Sequence, residues 1–208
     1  MIDIKIVKVT QLATNCCYLK DSTAGRLAVV DPGGQSSKLI KMIKSDGEKL
    51  DYVILTHGHY DHIGYAKELA DKFGAKIVTG RNNSEFLCDT KLNLSNFGGV
   101  EIPPFSADIL LDDADMFMLG KTPIMYIATP GHTKGCGTYM FDNTLITGDT
   151  LFFESYGRTD LPTGDLNALM SSLQKLRDIR GDFKVIPGHG KPTTLEHERK
   201  NNPLMRRI

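Results

Sequence analysis

Tyr52-Val53-Ile54-Leu55-Thr56-His57-Gly58-His59-Tyr60-Asp61-His62 is an apolar run that ends abruptly in three imidazoles and a carboxylate. Half of the chain's six histidines fall between positions 57 and 62. The apolar run reads as a buried strand. Beyond it, Ala66, Leu69, Ala70 and Phe73 recur at three- and four-residue spacing, with Gly74 placed to end a helix predicted over 62–73. The cluster therefore occupies a loop leaving the C-terminal end of a strand, where ligands collect in α/β architectures. In extended backbone, residues two apart point the same way, so His57 and His59 can face one metal. Asp61 and His62 lie where the chain turns into the helix and can face a neighbouring position. This spacing supplies ligands to two adjacent metals rather than four to one.

Outward from this segment, strands are predicted at 15–20, 26–31, 51–56 and 75–79, and a helix at 36–45. At the N-terminus Ile2, Ile4 and Ile6 share one parity while Val7 and Val9 share the other. That slip of phase predicts a bulge near Ile6-Val7 or a change of partner there. Residues 80–108 are polar and irregular, with Gly98-Gly99 and Pro103-Pro104, and read as a short helical insertion or a seam between two halves. The pattern then restarts with strands at 115–119, 122–128, 136–141 and 144–147, Asp142-Asn143 turning between the last two. A helix at 165–179, a strand at 183–186 and a terminal helix from about Leu195 follow. Two successive halves rich in strands and carrying helices predict one domain over 1–208, an α/β fold with two sheets packed face to face and helices outside both.

The second half repeats the placement of chemistry after strands. Thr129-Pro130-Gly131-His132-Thr133 follows 122–128, Gly148-Asp149 follows Leu145-Ile146-Thr147, and Pro187-Gly188-His189-Gly190 follows Phe183 to Ile186. Each sets one imidazole or carboxylate on a glycine-containing loop, and glycine lets backbone approach a crowded centre.

His-x-His-x-Asp-His followed by separate His, Asp and His resembles the metal signature of the metallo-β-lactamase superfamily, and in detail its short glyoxalase II-like (hydroxyacylglutathione hydrolase-like) hydrolases. Gly157-Arg158-Thr159-Asp160-Leu161-Pro162, Pro187-Gly188-His189-Gly190-Lys191-Pro192-Thr193-Thr194, Glu198 and Asn202-Pro203 read like stretches of the same group. The resemblance runs from about residue 12 to 203. It implies an αββα four-layer sandwich, two mixed β-sheets face to face with the metal centre at one edge. By the same resemblance, His57, His59 and His132 would hold one metal, Asp61, His62 and His189 a second, and Asp149 would bridge them. Asp61 and Asp149 would be the catalytic carboxylates. Asp31, in Asp-Pro-Gly-Gly, occupies a position that supports the metal histidines in the family, and is equally an ordinary turn residue.

Imidazole and carboxylate donors suit two divalent ions, zinc first, with iron or manganese as alternatives. Such ions lower the pKa of bound water from roughly 15.7 to near 7, presenting hydroxide at neutral pH. A metal-bridging hydroxide attacking a thioester, such as a hydroxyacylglutathione, is the expected reaction, because a departing thiolate needs little proton assistance. Lys134, Phe152, Phe153 and Tyr156 are candidates for lining the substrate pocket. Arg158 could bind an anionic substrate end or pair with Asp160 or Asp165. Full-length glyoxalase II enzymes carry a further helical domain, whereas 19 residues follow His189 here, which leaves another thiol carrier, ester or lactone open. A persulfide dioxygenase using one iron on His57, His132 and Asp149 is the nearest rival. An idle metal-binding domain is opposed by the full set of seven ligands. A flavodiiron-type oxidoreductase would carry Glu at position 59.

Composition bounds the partners. Twenty-five basic and 25 acidic side chains balance, so no overall field attracts a polyanion, and nucleic acid is not an expected partner. Apolar runs fall far short of the ~20 residues of a membrane helix, and no export signal opens the sequence, so a cytoplasmic protein acting on a small molecule is expected. Four cysteines, two of them adjacent, read as reduced thiols rather than a disulfide framework. Neutral charge and ordinary composition carry no signal for assembly.

Overall fold

The computed structural model describes residues 1–47 and 49–208. The first sheet joins, in sequence order, β1 (Ile2–Val9), β2 (Thr14–Asp21), β3 (Arg26–Val30), β4 (Lys49–Leu55), β5 (Lys76–Gly80) and β6 (Ile109–Leu111). The second has the order β14-β13-β10-β9-β8-β7, formed by β7 (Met116–Leu119), β8 (Thr122–Ala128), β9 (Gly137–Phe141), β10 (Thr144–Gly148), β13 (Lys184–Pro187) and β14 (Thr193–Thr194). A hairpin of β11 (Leu151–Phe152) and β12 (Ser155–Tyr156) stands apart from both. Parallel pairs β3–β4 and β10–β13 are bridged by α1 (Ser37–Asp46) and α5 (Leu166–Arg177), and β4–β5 by α2 (Tyr60–Ile63) and α3 (Ala66–Phe73). A 3-10 helix (Arg81–Leu87) and α4 (Ser95–Gly98) fill the irregular segment as a short helical insertion, and α6 (Leu195–Asn201) lies near the C-terminus.

Alternating side chains build three cores, which is why the fold has four layers. Leu27 and Val29 of β3, with Val53 and Leu55 of β4, pack against α1 and α3, whereas Ala28, Val30 and Ile54 turn to the space between the sheets. In the second sheet Leu145 and Val185 meet α5 while Ile146 and Ile186 face inward. Strands buried on both faces read as continuous apolar runs, as these do. The αββα sandwich of two mixed sheets is therefore present.

The same two-sided burial corrects the expectation for β1. Its register with β2 is unbroken from Ile2 opposite Asp21 to Val9 opposite Thr14, with no bulge and no change of partner. Ile2, Ile4 and Ile6 face the inter-sheet core, and Val7 and Val9 face the helices. The helix predicted over 62–73 is two helices. At the break, the Tyr65 N–H donates to the Pro32 carbonyl at 2.9 Å instead of continuing the helical ladder. A Cβ on Gly64 would lie 2.4 Å from the Gly33 carbonyl oxygen, so only glycine permits that approach.

Caps fix the long helices. The Ser36 hydroxyl accepts from the Leu39 N–H at the start of α1, and the Asp165 carboxylate accepts from Asn167 and Ala168 at the start of α5. β6, β11, β12 and β14 were not predicted; at two or three residues each they are too short for alternation to show.

Candidate metal centre

Four strands deliver the clustered residues. His57 and His59 follow the end of β4, Asp61 and His62 ride on α2, His132 follows β8, Asp149 follows β10 and His189 follows β13. Both sheets therefore contribute to one edge of the sandwich. Six of these side chains are buried, and His189 keeps 28% of its side chain exposed.

The donors gather in overlapping groups: His57, His59 and His132; His57, His62 and Asp149; Asp61, His62 and His189. His59 Nδ1 lies 3.2 Å from His57 Nε2 and 2.9 Å from His132 Nε2. His189 Nε2 lies 3.3 Å from His62 Nε2 and 3.2 Å from Asp61 Oδ2. Asp149 reaches both sets, with Oδ1 3.5 Å from His62 Nε2 and Oδ2 3.6 Å from His132 Nε2 and 3.5 Å from His189 Nε2. Ligands about 2.05 Å from a tetrahedral zinc ion are themselves about 3.3 Å apart, which is the spacing of these groups.

Electrostatics point the same way. Burial, reinforced by the neighbouring imidazoles, pushes His57 well below the usual histidine range and His59 down to about 3, so both present neutral lone pairs. Burial also opposes charge on His62, but Asp61, Asp149 and Asp31 outweigh it and raise that imidazole to about 10. The carboxylates are thus drawing positive charge into the cluster. Asp149 Oδ1 is buried without a hydrogen-bond partner, a costly condition for a carboxylate oxygen that a cation would relieve. The donor set fits two divalent metals.

Outer contacts aim the ring nitrogens. Asp31, at φ 51° just after β3, accepts from the Thr56 N–H at 2.8 Å, the Thr56 hydroxyl at 2.6 Å and His62 Nδ1 at 2.9 Å. Having given its proton to Asp31, the Thr56 hydroxyl accepts from His57 Nδ1 at 3.2 Å. One carboxylate therefore orients two imidazoles. His132 Nδ1 donates to the Arg158 carbonyl at 2.7 Å, and His189 Nδ1 donates to the Leu12 carbonyl at 3.1 Å. The Thr14 hydroxyl donates to Asp61 Oδ2 at 2.8 Å. Such partners fix the tautomer and raise ligand basicity. Thr14, Thr56 and the two carbonyls were not anticipated: backbone carbonyls leave no mark on a sequence, although Thr56 stands beside His57.

Crowding supplies a direct check. A Cβ on Gly188 would sit 2.1 Å from Asp149 Oδ1 and 2.7 Å from His62 Cε1. Gly188→Ala is expected to leave the sandwich folded while weakening metal binding at least tenfold, as read by chelator competition beside a melting curve. Unchanged affinity would show that the loop has room to yield.

The candidate pocket residues separate. Phe152 lies edge-on to His189 with ring centroids 6.3 Å apart, so it flanks the cluster. Tyr156 pairs across the hairpin with Leu151 and packs half-buried on the core beneath α5. Phe153 is turned away, stacked on His197 at 5.1 Å under the Lys191 ammonium. Lys134 is ion-paired with Glu85. The Arg158 guanidinium makes a two-pronged contact with Asp160 at 2.7 and 2.6 Å on the surface, and Asp165 serves as a helix cap instead. Cys136 is buried, its thiol pushed up to about 12 chiefly by burial.

A model of the metallo-beta-lactamase superfamily matches residues 9–189. Hydroxyacylglutathione hydrolase GloC of Haemophilus influenzae is 33% identical over 208 residues, covering 98% of both chains. The solved structure of BLEG-1 B3 metallo-beta-lactamase is similar at a TM-score of 0.91 and 31% identity, covering 98% of this chain and 99% of that one. TTHA1623 in a di-iron-bound form gives a TM-score of 0.83 at 27% identity, with 96% and 98% covered. With the layered fold, the edge cluster and a family match across most of its length, the chain belongs to the metallo-beta-lactamase superfamily.

Proposed function

We propose that the chain is a dinuclear metal-dependent hydrolase acting on a thioester, a hydroxyacylglutathione being the first to test. The observation that carries this reading is the convergence of seven donors into overlapping groups at one edge, with Asp149 within 3.6 Å of His62, His132 and His189. In it His57, His59 and His132 hold one ion, Asp61, His62 and His189 the other, and Asp149 serves both. When bound, two divalent ions would make a neighbouring water acidic and polarise the acyl oxygen. Zinc suits the donors best, and the di-iron form of the TTHA1623 relative supports iron as the alternative.

The protein's part is orientation and charge. Asp31 and Thr56 lock His57 and His62, while the Leu12 and Arg158 carbonyls lock His189 and His132. Asp61 and Asp149 balance the cations and can take up the proton that leaves the attacking water. As water oxygen adds to the acyl carbon, the carbon–sulfur bond breaks and the electron pair departs on sulfur. A thiolate is a weak base, so no further acid is required. Phe152 stands edge-on to the partly exposed His189 and flanks that side of the centre. Resemblance to a named hydroxyacylglutathione hydrolase supports the thioester, and four free thiols fit a reducing cytoplasm.

A panel of thioesters, lactones, β-lactams and phosphodiesters on one metal-loaded sample tests this reading. Thioesters are expected to be cleaved fastest, without oxygen consumption. Oxygen uptake on glutathione persulfide by protein holding one iron would replace it with the dioxygenase reading.

A further inference from the structure

We propose that the thiol carrier is a phosphopantetheine arm, lying in a groove that leads from the metal centre to an uncompensated lysine pocket between α1 and α3. The inference rests on the hydrolase reading and names its substrate class. A groove of about 510 Å³ is walled by Leu12, Gly34, Gln35, Tyr60, Tyr65 and Val100. Its inner end adjoins the centre: the Leu12 carbonyl holds His189, and Tyr60 lies between His59 and Asp61 in the chain. At its outer end Gln35 also lines a second pocket of about 480 Å³, where Lys41, Lys44 and Lys72 stand with Ile40.

Charge decides what this surface takes. The chain is neutral overall, yet Lys41, Lys44 and Lys72 are exposed and have no ion-pair partner among the described residues. Lys72 stands one turn from Glu68, but no ion pair joins them. On the opposite flank, by contrast, Lys134 and Arg158 are paired with Glu85 and Asp160. Lys41, Lys44 and Lys72 are thus gathered at the outer end of this groove, as a phosphate requires, whereas Lys8 and Lys191 beside the His189 loop are engaged by the Gly190 carbonyl and the Phe153 ring. Between phosphate site and metal centre the walls are hydroxyl, side-chain amide, glycine backbone and apolar groups, with Glu68 the one charged side chain. A neutral arm bearing two amides matches those walls. A glutathione carrier, with carboxylates close to its sulfur, would meet no counter-charge there. The stretch from Tyr65 at the groove to Lys72 at the pocket is about 10 Å along α3, short enough for the arm to cover with length left to reach towards the centre. The arm, equivalent to roughly four extended residues, spans roughly 15 Å from sulfur to phosphorus.

Desulfo-coenzyme A, which lacks the thiol and cannot be hydrolysed as a thioester, is the binding probe. Calorimetry is expected to show binding that weakens as salt rises. The variant carrying Lys41→Ala, Lys44→Ala and Lys72→Ala should bind at least tenfold more weakly at an unchanged melting temperature. In turnover, kcat/KM for acetyl-coenzyme A, or for an acetyl group on a carrier protein's phosphopantetheine, should exceed that for acetylpantetheine at least tenfold, and the triple variant should erase the difference. Comparing the first two substrates distinguishes the sources of the shared arm, and preference for either over acetylpantetheine supports the assignment. Equal rates on all three, or desulfo-coenzyme A affinity unaffected by the triple substitution, would overturn it. Probe binding without cleavage of any thioester would sink the hydrolase reading alone; cleavage without phosphate preference would sink this inference alone.

Discussion

Asp149→Ala is expected to remove both metals from the centre while leaving the sandwich folded. Among the described residues, Asp149 is the one carboxylate whose oxygens approach both donor sets, at 3.5 Å from His62 and His189 and 3.6 Å from His132. Losing an outer partner of a metal ligand costs about 10–100-fold in affinity or activity. Losing a shared ligand should exceed that range for both ions together, and hydrolysis should fall with them. In the metal-free protein the substitution also removes the carboxylate that faces the His62, His132 and His189 imidazoles, so the melting temperature should fall modestly beside the loss of metal. Metal titration followed by calorimetry separates the two effects. Retained activity with two bound ions would remove the shared role.

Tyr139→Ala should give the largest loss of stability from one side chain. The ring is fully buried between the sheets, 5.5 Å from Tyr126 and 6.4 Å from Phe117 between centroids, and its hydroxyl donates to the Leu55 carbonyl at 3.0 Å. Large-to-small substitution of a buried aromatic costs about 3–5 kcal/mol, and in a chain of this size that lowers the melting temperature by roughly 10 °C. Tyr139→Phe keeps the ring, and the Leu55 carbonyl still accepts from Thr79, so about 1 kcal/mol is expected. Equal losses in the two variants would show that the hydroxyl, not packing, ties the sheets behind the His57 loop.

The layered fold was legible because β3, β4, β10 and β13 are apolar on both faces and alternate with helical segments, a pattern that demands cover on each side. The clustered donors were legible for a related reason: each stands directly after such a strand, and strand ends at one edge converge. What escaped notice depends on contacts distant in sequence. The break at Gly64-Tyr65 is invisible locally, since apolar spacing runs on through Ala66, and Pro32, 33 residues earlier, takes the Tyr65 N–H. The parity change in β1 looked like a bulge because one-sided burial was assumed, whereas the strand buries its two ends on opposite faces. Leu12 and Arg158 support histidines through carbonyls that any residue would offer, so their side chains announce nothing of that duty. Among the pocket candidates, Lys134 and Arg158 could not be resolved from sequence because Glu85 and Asp160 compete for the same cations a substrate would use.

Elemental analysis of protein purified without added metal, set against its protein concentration, tests the central claim most directly. Two divalent ions per chain, both lost to a strong chelator and both restored on adding zinc, is the predicted result. A chain that takes up one ion or none after metal is supplied would contradict a dinuclear centre.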